Sequence, residues 1–326
     1  MSGIISTGEK RLVLVSGRAY PGLAEQVAES LGTEVSSTTA YDFASGEIYV
    51  RFNESVRGAD VFVLQSMTAP INKWFMEQLI MVDAAKRASA KRITVVAPLY
   101  PYSRQDKKHQ GREPVSAKLI ADMYKTAGAD RIMSVDLHAS QAQGFFDGPV
   151  DHLWAMPVLV DYVRGRIDPE KVAVVSPDAG RIRVAEKWSA KLGNCPLAFV
   201  HKTRDTTRPN VAVANRVVGD VTGRQCVLVD DMIDTAGTIA EAVKVLYDAG
   251  ASDVIVAATH GVLSDPAPQR LEESGASEVI VTDTLPIEED KRFPHLTVLP
   301  IAPLLARGIF EVFEDGSVTS MFDGVA

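Results

Sequence analysis

The run Val227-Leu228-Val229-Asp230-Asp231-Met232-Ile233-Asp234-Thr235-Ala236-Gly237-Thr238 gathers residues suited to a sugar phosphate. The apolar residues Cys226 to Val229 predict a buried parallel strand, and Ile239, Ala242, Val243, Val245 and Leu246 then fall at helical spacing. A strand that enters a helix through such a turn leaves the amides of Thr235 to Thr238 outside the helical ladder, where they and the helix dipole attract an anion. Asp234 or Thr235 is expected to cap the helix, and Gly237 to let a ligand approach the backbone closely. Three acids beside an anion site make chemical sense if the ligand is phosphoribose. The phosphate would rest on the amides, while carboxylates accept hydrogen bonds from sugar hydroxyls or help hold a divalent cation. The plainer alternative is an ordinary capped strand-to-helix turn. Neither G-x-x-x-x-G-K-[ST] nor G-x-G-x-x-G occurs in the chain.

Five further segments carry candidates. Asp178, in Ser176-Pro177-Asp178-Ala179-Gly180-Arg181, follows the apolar run Val172 to Val175 and precedes a helix. It reads as a residue of a ligand crevice or as a cap, with Gly180 leaving room for phosphate oxygens and Arg181 or Arg183 offering a charged donor. His138 follows the strand Ile132 to Val135; taken alone, a histidine in such a turn is structural. Lys202 and Arg204 end the strand Leu197 to Val200 and enter a polar stretch without apolar period, either a solvated basic loop or a lid bringing cations to a phosphoryl group. Arg104 and Gln105 follow the strand Ile93 to Ala97 and supply a cation and an amide. Phe43 and Glu47 offer a flat apolar face and an acceptor, or else a core aromatic and a strand-connecting turn. The remaining histidines, His109, His152, His201, His260 and His295, lack zinc spacing, and no G-x-S-x-G elbow is present.

The elements that must position these residues alternate along the chain. Strand-like runs at Leu12 to Val15, Val61 to Leu64, Ile93 to Ala97, Ile132 to Val135, Val172 to Val175, Cys226 to Val229, Val254 to Ala257 and Val279 to Val281 are interleaved with helical spacing over Trp74 to Ala90, Ser116 to Ala127, Arg183 to Leu192 and Ile239 to Ala249. With 326 residues, the expectation is two α/β domains, with the passage between them near Asp151 to Pro157. A net charge of -8 gives no electrostatic reason to seek nucleic acid or anionic lipid, so anionic ligands must be bound locally. Cys195 and Cys226 are too few for a disulfide framework, which points to a reducing cytoplasm. The short run Leu12 to Val15 reads as a first strand and not as a signal peptide, and no apolar stretch approaches the ~20 residues that span a bilayer.

The acidic turn resembles the phosphoribosyl-diphosphate loop shared by type I phosphoribosyltransferases and ribose-phosphate diphosphokinases. The segments Phe43-Ala44-Ser45-Gly46-Glu47, Pro101-Tyr102-Ser103-Arg104-Gln105-Asp106, Asp136-Leu137-His138, Ser176-Pro177-Asp178-Ala179-Gly180 and His201-Lys202-Thr203-Arg204 resemble, in that order, the adenine, nucleotide, metal, diphosphate and catalytic-loop segments of the diphosphokinases. The family usually has an acid where Ser45 stands and often a glycine where Arg181 stands. The resemblance implies two similar domains of type I phosphoribosyltransferase fold, each a mostly parallel sheet flanked by helices. It divides the chain into an ATP-side domain over 1–154, a ribose-5-phosphate-binding domain over 155–312, and a tail over 313–326 returning to the first.

It further implies transfer of the β,γ-diphosphate of ATP to the C1 hydroxyl of ribose 5-phosphate. The roles implied are Lys202 and Arg204 in catalysis, and Phe43, Ser45, Gly46, Glu47, Arg104 and Gln105 around ATP. Asp230, Asp231, Asp234, Thr235, Ala236, Gly237 and Thr238, with Arg204, would bind ribose 5-phosphate, and His138 and Asp178 would hold Mg2+. A homohexamer with active sites completed by neighbouring subunits, activated by phosphate and inhibited by ADP, is implied as well, with Arg51, Gln141, Asp147 and Ser317 to Phe322 at the regulatory contacts. A type I phosphoribosyltransferase and a non-catalytic regulatory homologue are the alternatives. The first lacks an obvious nucleobase hood here. The second should have lost loop cations or metal ligands, and Lys202, Arg204, His138 and Asp178 are all retained.

Overall fold

A computed structural model describes residues 10–202 and 215–322, and the chain divides into two units, 1–154 with 302–326, and 155–301. Apolar β-branched runs form the strands of both units, and the amphipathic stretches between them form the covering helices.

The first unit is built from β1 (Leu12–Ser16), α1 (Pro21–Leu31), β2 (Thr38–Asp42), β3 (Ile48–Phe52), β4 (Asp60–Leu64), α2 (Ile71–Arg87), β5 (Arg92–Val96), α3 (Ser116–Ala127), β6 (Arg131–Val135) and β7 (Val150–Leu153). The second continues with α4 (Met156–Arg164), β8 (Val172–Ser176), α5 (Ile182–Lys191), β9 (Leu197–Lys202), β10 (Asn215–Val218), β11 (Gln225–Ile233), α6 (Gly237–Asp248), β12 (Asp253–Gly261), α7 (Ala267–Glu272), β13 (Glu278–Thr282) and β14 (Leu296–Leu299). The chain then returns to the first unit with α8 (Ala302–Phe313). That return begins at Ala302, where the sequence placed it at 313.

In the first unit five parallel strands run in the order β1-β4-β5-β6-β7, and β2 and β3 stand apart as an antiparallel hairpin. Every residue of β4 is buried, as expected of a strand covered on both faces. One face packs Val61, Val63, Ile93, Val95 and Ile132 against Phe75, Leu79 and Val82 of α2 and Ile120 and Tyr124 of α3. On α8, Gly308 is pressed so close to Leu153 and Met133 that an added Cβ would lie 3.0 Å from the leucine. The helix packs there because it presents hydrogen where other residues present carbon.

The second unit's sheet has the order β10-β9-β8-β11-β12-β13-β14, with only β10 antiparallel to its neighbour. Its core combines Val175, Leu228, Val254, Val256 and Val279 with Ile239, Val243 and Leu246 of α6. Both cysteines are free and buried, and burial together with the Asp253 charge pushes the Cys226 thiol up to about 12. The architecture is the expected one of two α/β units, each a mostly parallel sheet flanked by helices. Among the described residues no helix is long and apolar enough to cross a membrane.

Local reading missed several elements. β2, β3, β7, β10 and β14 are short or edge strands with mixed composition, and α1, α4, α7 and α8 were not separated from neighbouring apolar runs. β7 occupies part of the stretch read as a passage, since its backbone pairs with β6 from Ile132↔Val150 to Val135↔Leu153.

Candidate active site

The order of the second sheet reverses at β8: β9 lies on one side of it and β11 on the other. Beyond the carboxyl ends of two such strands an open parallel sheet leaves its crevice. Asp178 stands exposed in the turn after β8. Its Oδ1 accepts the Gly180 amide at 2.8 Å, and the Ser176 hydroxyl donates to its carbonyl at 2.6 Å. The carboxylate thus closes a local turn, and it stays open to solvent.

On β11 the structure corrects the expected boundary. The strand does not stop at Val229 but runs to Ile233, because its ladder with β12 continues through Asp230↔Ala258, Met232↔His260 and Ile233↔Gly261. Asp230 and Asp231 therefore belong to the strand and not to the turn that follows it, and their carboxyl groups lie close enough together to interact with each other. The side chains of Asp230 and Asp231 are only 17% and 8% exposed. Arg181 reaches both: its Nε lies 3.5 Å from Asp230 Oδ1 and its Nη2 2.8 Å from Asp231 Oδ1. The Asp231 amide also donates to Asp230 Oδ1 at 2.8 Å. Burial first and the neighbouring Asp231 charge second hold the Asp230 carboxyl well above the usual carboxylate range, with Arg181 pulling the other way.

The expected cap of α6 is corrected as well. Neither Asp234 nor Thr235 takes the N-cap position: Ala236 occupies it, in left-handed backbone at φ 58°, with no side-chain cap. For a residue with a Cβ that conformation costs about 1–2 kcal/mol. It turns the chain sharply from β11 into α6, and the Thr235 carbonyl is held by Arg270 Nη1 at 2.9 Å. A Cβ on Gly237 would meet only the Arg270 guanidinium, at 3.5 Å, so the rest of the chain does not itself demand glycine there. Thr235 and Thr238 are exposed and Asp234 is half-buried, all on the same strand-to-helix turn as Gly237. Lys202 closes β9, paired in the ladder with Asn215 of β10, and Arg204 lies outside the described residues.

In the first unit the candidates sit on two turns and a hairpin. The turn after β5 carries Arg104 and Gln105, both exposed, and that after β6 carries His138, half-buried. A hydrogen bond of 2.7 Å from Gln141 Nε2 to the buried Asp106 ties the two turns together. Gln105 is partly committed elsewhere, since its Oε1 accepts the Ser116 hydroxyl at 2.6 Å and its carbonyl accepts the Ala117 amide at the start of α3. Behind His138, the Leu137 amide donates to Nε2 of the buried His152 at 2.9 Å, and the His152 ring stacks on Trp154 at 4.5 Å. In the sequence His152 shows only a lack of zinc spacing, and its place opposite Ser134 on the neighbouring strand is a tertiary fact.

The hairpin holds Phe43, Ser45, Gly46 and Glu47. Its loop closes through Phe43 N to Glu47 O and Gly46 N to Phe43 O, both 2.8 Å, and Gly46 takes φ 89°, which a glycine adopts without cost. The Ser45 hydroxyl donates to Glu47 Oε2 at 2.9 Å. Phe43 is not a core aromatic but 47% exposed, set edge-on to Tyr41 at 5.3 Å, while Tyr41 stacks on its ladder partner Tyr49 at 4.8 Å. Asp42, at the end of β2, is anchored by Arg18 at 2.6 Å and Lys73 at 2.7 Å, and Arg18 is in turn held at 2.6 Å by the fully buried Glu77. These cations keep the Asp42 carboxyl below the usual range. Arg51, Gln141 and Asp147 are exposed, and Phe322 is buried.

The described residues contain no group of three or more His, Cys, Asp or Glu placed to hold a metal. Magnesium is commonly held by one or two carboxylates with waters and substrate phosphates completing its shell, and the exposed oxygens of Asp178 fit that habit. The imidazole of His138 is the less suitable donor.

Two family models match the chain, the N-terminal domain of ribose phosphate pyrophosphokinase over residues 12–128 and a phosphoribosyl synthetase-associated domain over residues 197–323. Among curated proteins, the ribose-phosphate pyrophosphokinase of Bifidobacterium longum is 71% identical over 97% of this chain and 93% of its own length. That of Mycobacterium bovis is 66% identical over the whole of both chains. A crystal structure of phosphoribosylpyrophosphate synthetase from Mycobacterium smegmatis superposes with a TM-score of 0.89 at 66% identity, over 94% of this chain and 100% of that one.

Proposed function

We propose a division of labour between the two units from the premise that this chain belongs to the ribose-phosphate pyrophosphokinase family. The reaction is transfer of the terminal diphosphate of ATP to the anomeric hydroxyl of ribose 5-phosphate, giving 5-phosphoribosyl 1-diphosphate and AMP. The sugar C1 oxygen attacks the β-phosphorus in line with the departing AMP, and the proton of that hydroxyl is lost to solvent or to the phosphates. The chain has to position the reactants and stabilise charge, and no covalent intermediate on the protein is needed.

In the second unit, the amides opening α6 would take the 5-phosphate, with Thr235 and Thr238 adding hydroxyl donors and Gly237 giving access to the backbone. Asp230 and Asp231 would accept hydrogen bonds from the ring hydroxyls, and Asp234 would flank the same turn. In the first unit, Phe43 would offer its exposed face to adenine, with Ser45, Gly46 and Glu47 shaping the polar edge and Arg104 and Gln105 holding the nucleotide. Lys202 and Arg204 would neutralise charge developing on the β- and γ-phosphates. Asp178 in the second unit and His138 in the first are the residues that would hold magnesium, which would offset the negative charge of the phosphate oxygens.

One observation carries this reading: the acid pair of β11, the left-handed turn at Ala236 and the exposed Asp178 all gather where the second sheet reverses direction. A type I phosphoribosyltransferase would need the same turn, but the family match also covers the first unit. A homohexamer, activation by phosphate, inhibition by ADP and residence in the cytoplasm belong to the same proposal. Purified protein should release AMP from ATP only when ribose 5-phosphate and magnesium are supplied. AMP formation that ignores the sugar would defeat the reading.

A further inference from the structure

Arg181 breaks local rules of its own helix. It is the N-cap residue of α5 yet makes no side-chain cap, and it sets a cation at the end where the helix dipole is already positive, with no acid in the first turn. The side chain is moreover only 16% exposed. Asp230 and Asp231 break rules in turn, being two adjacent carboxylates on a largely buried strand. Each violation answers the other, because Arg181 Nη2 stands 2.8 Å from Asp231 and Nε 3.5 Å from Asp230. When local preferences fail on both sides of one contact, the contact itself is what the chain keeps.

We propose that Arg181 is a positioning residue for ribose 5-phosphate, fixing Asp230 and Asp231 as a matched pair of acceptors for the sugar hydroxyls. The inference rests on the reading that those two carboxylates face the ribose. These two contacts fall on Oδ1 of an aspartate, and Asp230 Oδ1 also accepts the Asp231 amide. One guanidinium thereby sets the rotation of two carboxylates on neighbouring residues, and it links the turn after β8 to the adjacent strand β11. A fork of fixed geometry suits this task better than the point charge of a lysine.

Steady-state kinetics of Arg181→Ala, Arg181→Lys and Asp230→Asn, each with a melting curve, test the idea using ribose 5-phosphate and 2-deoxyribose 5-phosphate. Arg181→Ala should raise KM for ribose 5-phosphate at least tenfold while KM for ATP moves less than twofold. Arg181→Lys should restore part of the loss. The preference for ribose 5-phosphate over its deoxy analogue should shrink in Arg181→Ala, which a merely structural role would not cause. If Asp230→Asn weakens ribose 5-phosphate binding but neither Arg181 variant does, the positioning role is overturned while the site reading survives. If Asp230→Asn also leaves that KM unchanged, the site reading itself is lost. Should Arg181→Ala fail to fold, Arg181→Lys decides: an unchanged KM and an unchanged deoxy preference overturn the role.

Discussion

The two units solve opposite problems at the carboxyl ends of similar sheets. The second presents carboxylates that are nearly buried, both held by Arg181, on a strand laddered to β8 as far as Leu228 and to β12 through Asp230. The first presents an aromatic ring that is about half exposed, carried on a two-stranded hairpin outside the main sheet and braced from the side by Tyr41. A small charged sugar phosphate rewards electrostatics arranged before it arrives, because buried charges act strongly and cost no reorganisation. A flat base rewards an accessible surface. Loss of a residue in the second unit should therefore disturb both binding and stability, and loss of one on the hairpin should disturb binding alone.

The largest effect sets a scale for that contrast. Lys202→Ala should lower kcat by about two to three orders of magnitude, typical for removal of a group that stabilises developing charge, with KM for ATP changed far less. Equal changes in both would reduce Lys202 to a binding residue. Next comes Asp231→Ala, which removes the shorter Arg181 contact. It should cost about 2 kcal/mol in unfolding experiments and raise KM for ribose 5-phosphate ten- to a hundredfold. Phe43→Ala should raise KM for ATP about tenfold and leave the melting temperature where it was, and a clear loss of stability there would erase the distinction between the units.

The smallest expected effect concerns pH. Asp230 binds its proton more readily in the folded than in the unfolded chain, so its contribution to stability declines as pH rises from the ordinary aspartate range through the raised value. Asp230→Asn abolishes that decline. The melting temperature of the variant relative to the parent should climb across this window, and a flat difference would mean that Arg181 fully offsets the burial of the acid.

Much of this arrangement is legible in the amino-acid order. Apolar runs such as Val172 to Val175 and the helical spacing of Ser116 to Ala127 need only local reading, and both match observed elements. What escaped reading depends on partners distant in the chain. The extension of β11 through Asp230 to Ile233 comes from its ladder with β12, which overrides the turn-like local composition. The left-handed Ala236 is unreadable because alanine has no preference for that backbone. Arg181 stands out in the order only as a charged residue after the single glycine of its turn; its contacts appear once β8 and β11 are seen side by side. His152 likewise gains its role from supporting the Leu137 amide.

Cys226 gives the second unit a built-in clock. It lies on the same strand as the acid pair, buried, with a thiol that stays protonated at physiological pH. An alkylating reagent attacks only thiolate, so modification of Cys226 has to wait until β11 separates from its neighbours. The rate of its labelling in native protein, with and without ribose 5-phosphate, would time the rupture of the strand that bears the Asp230 and Asp231 pair.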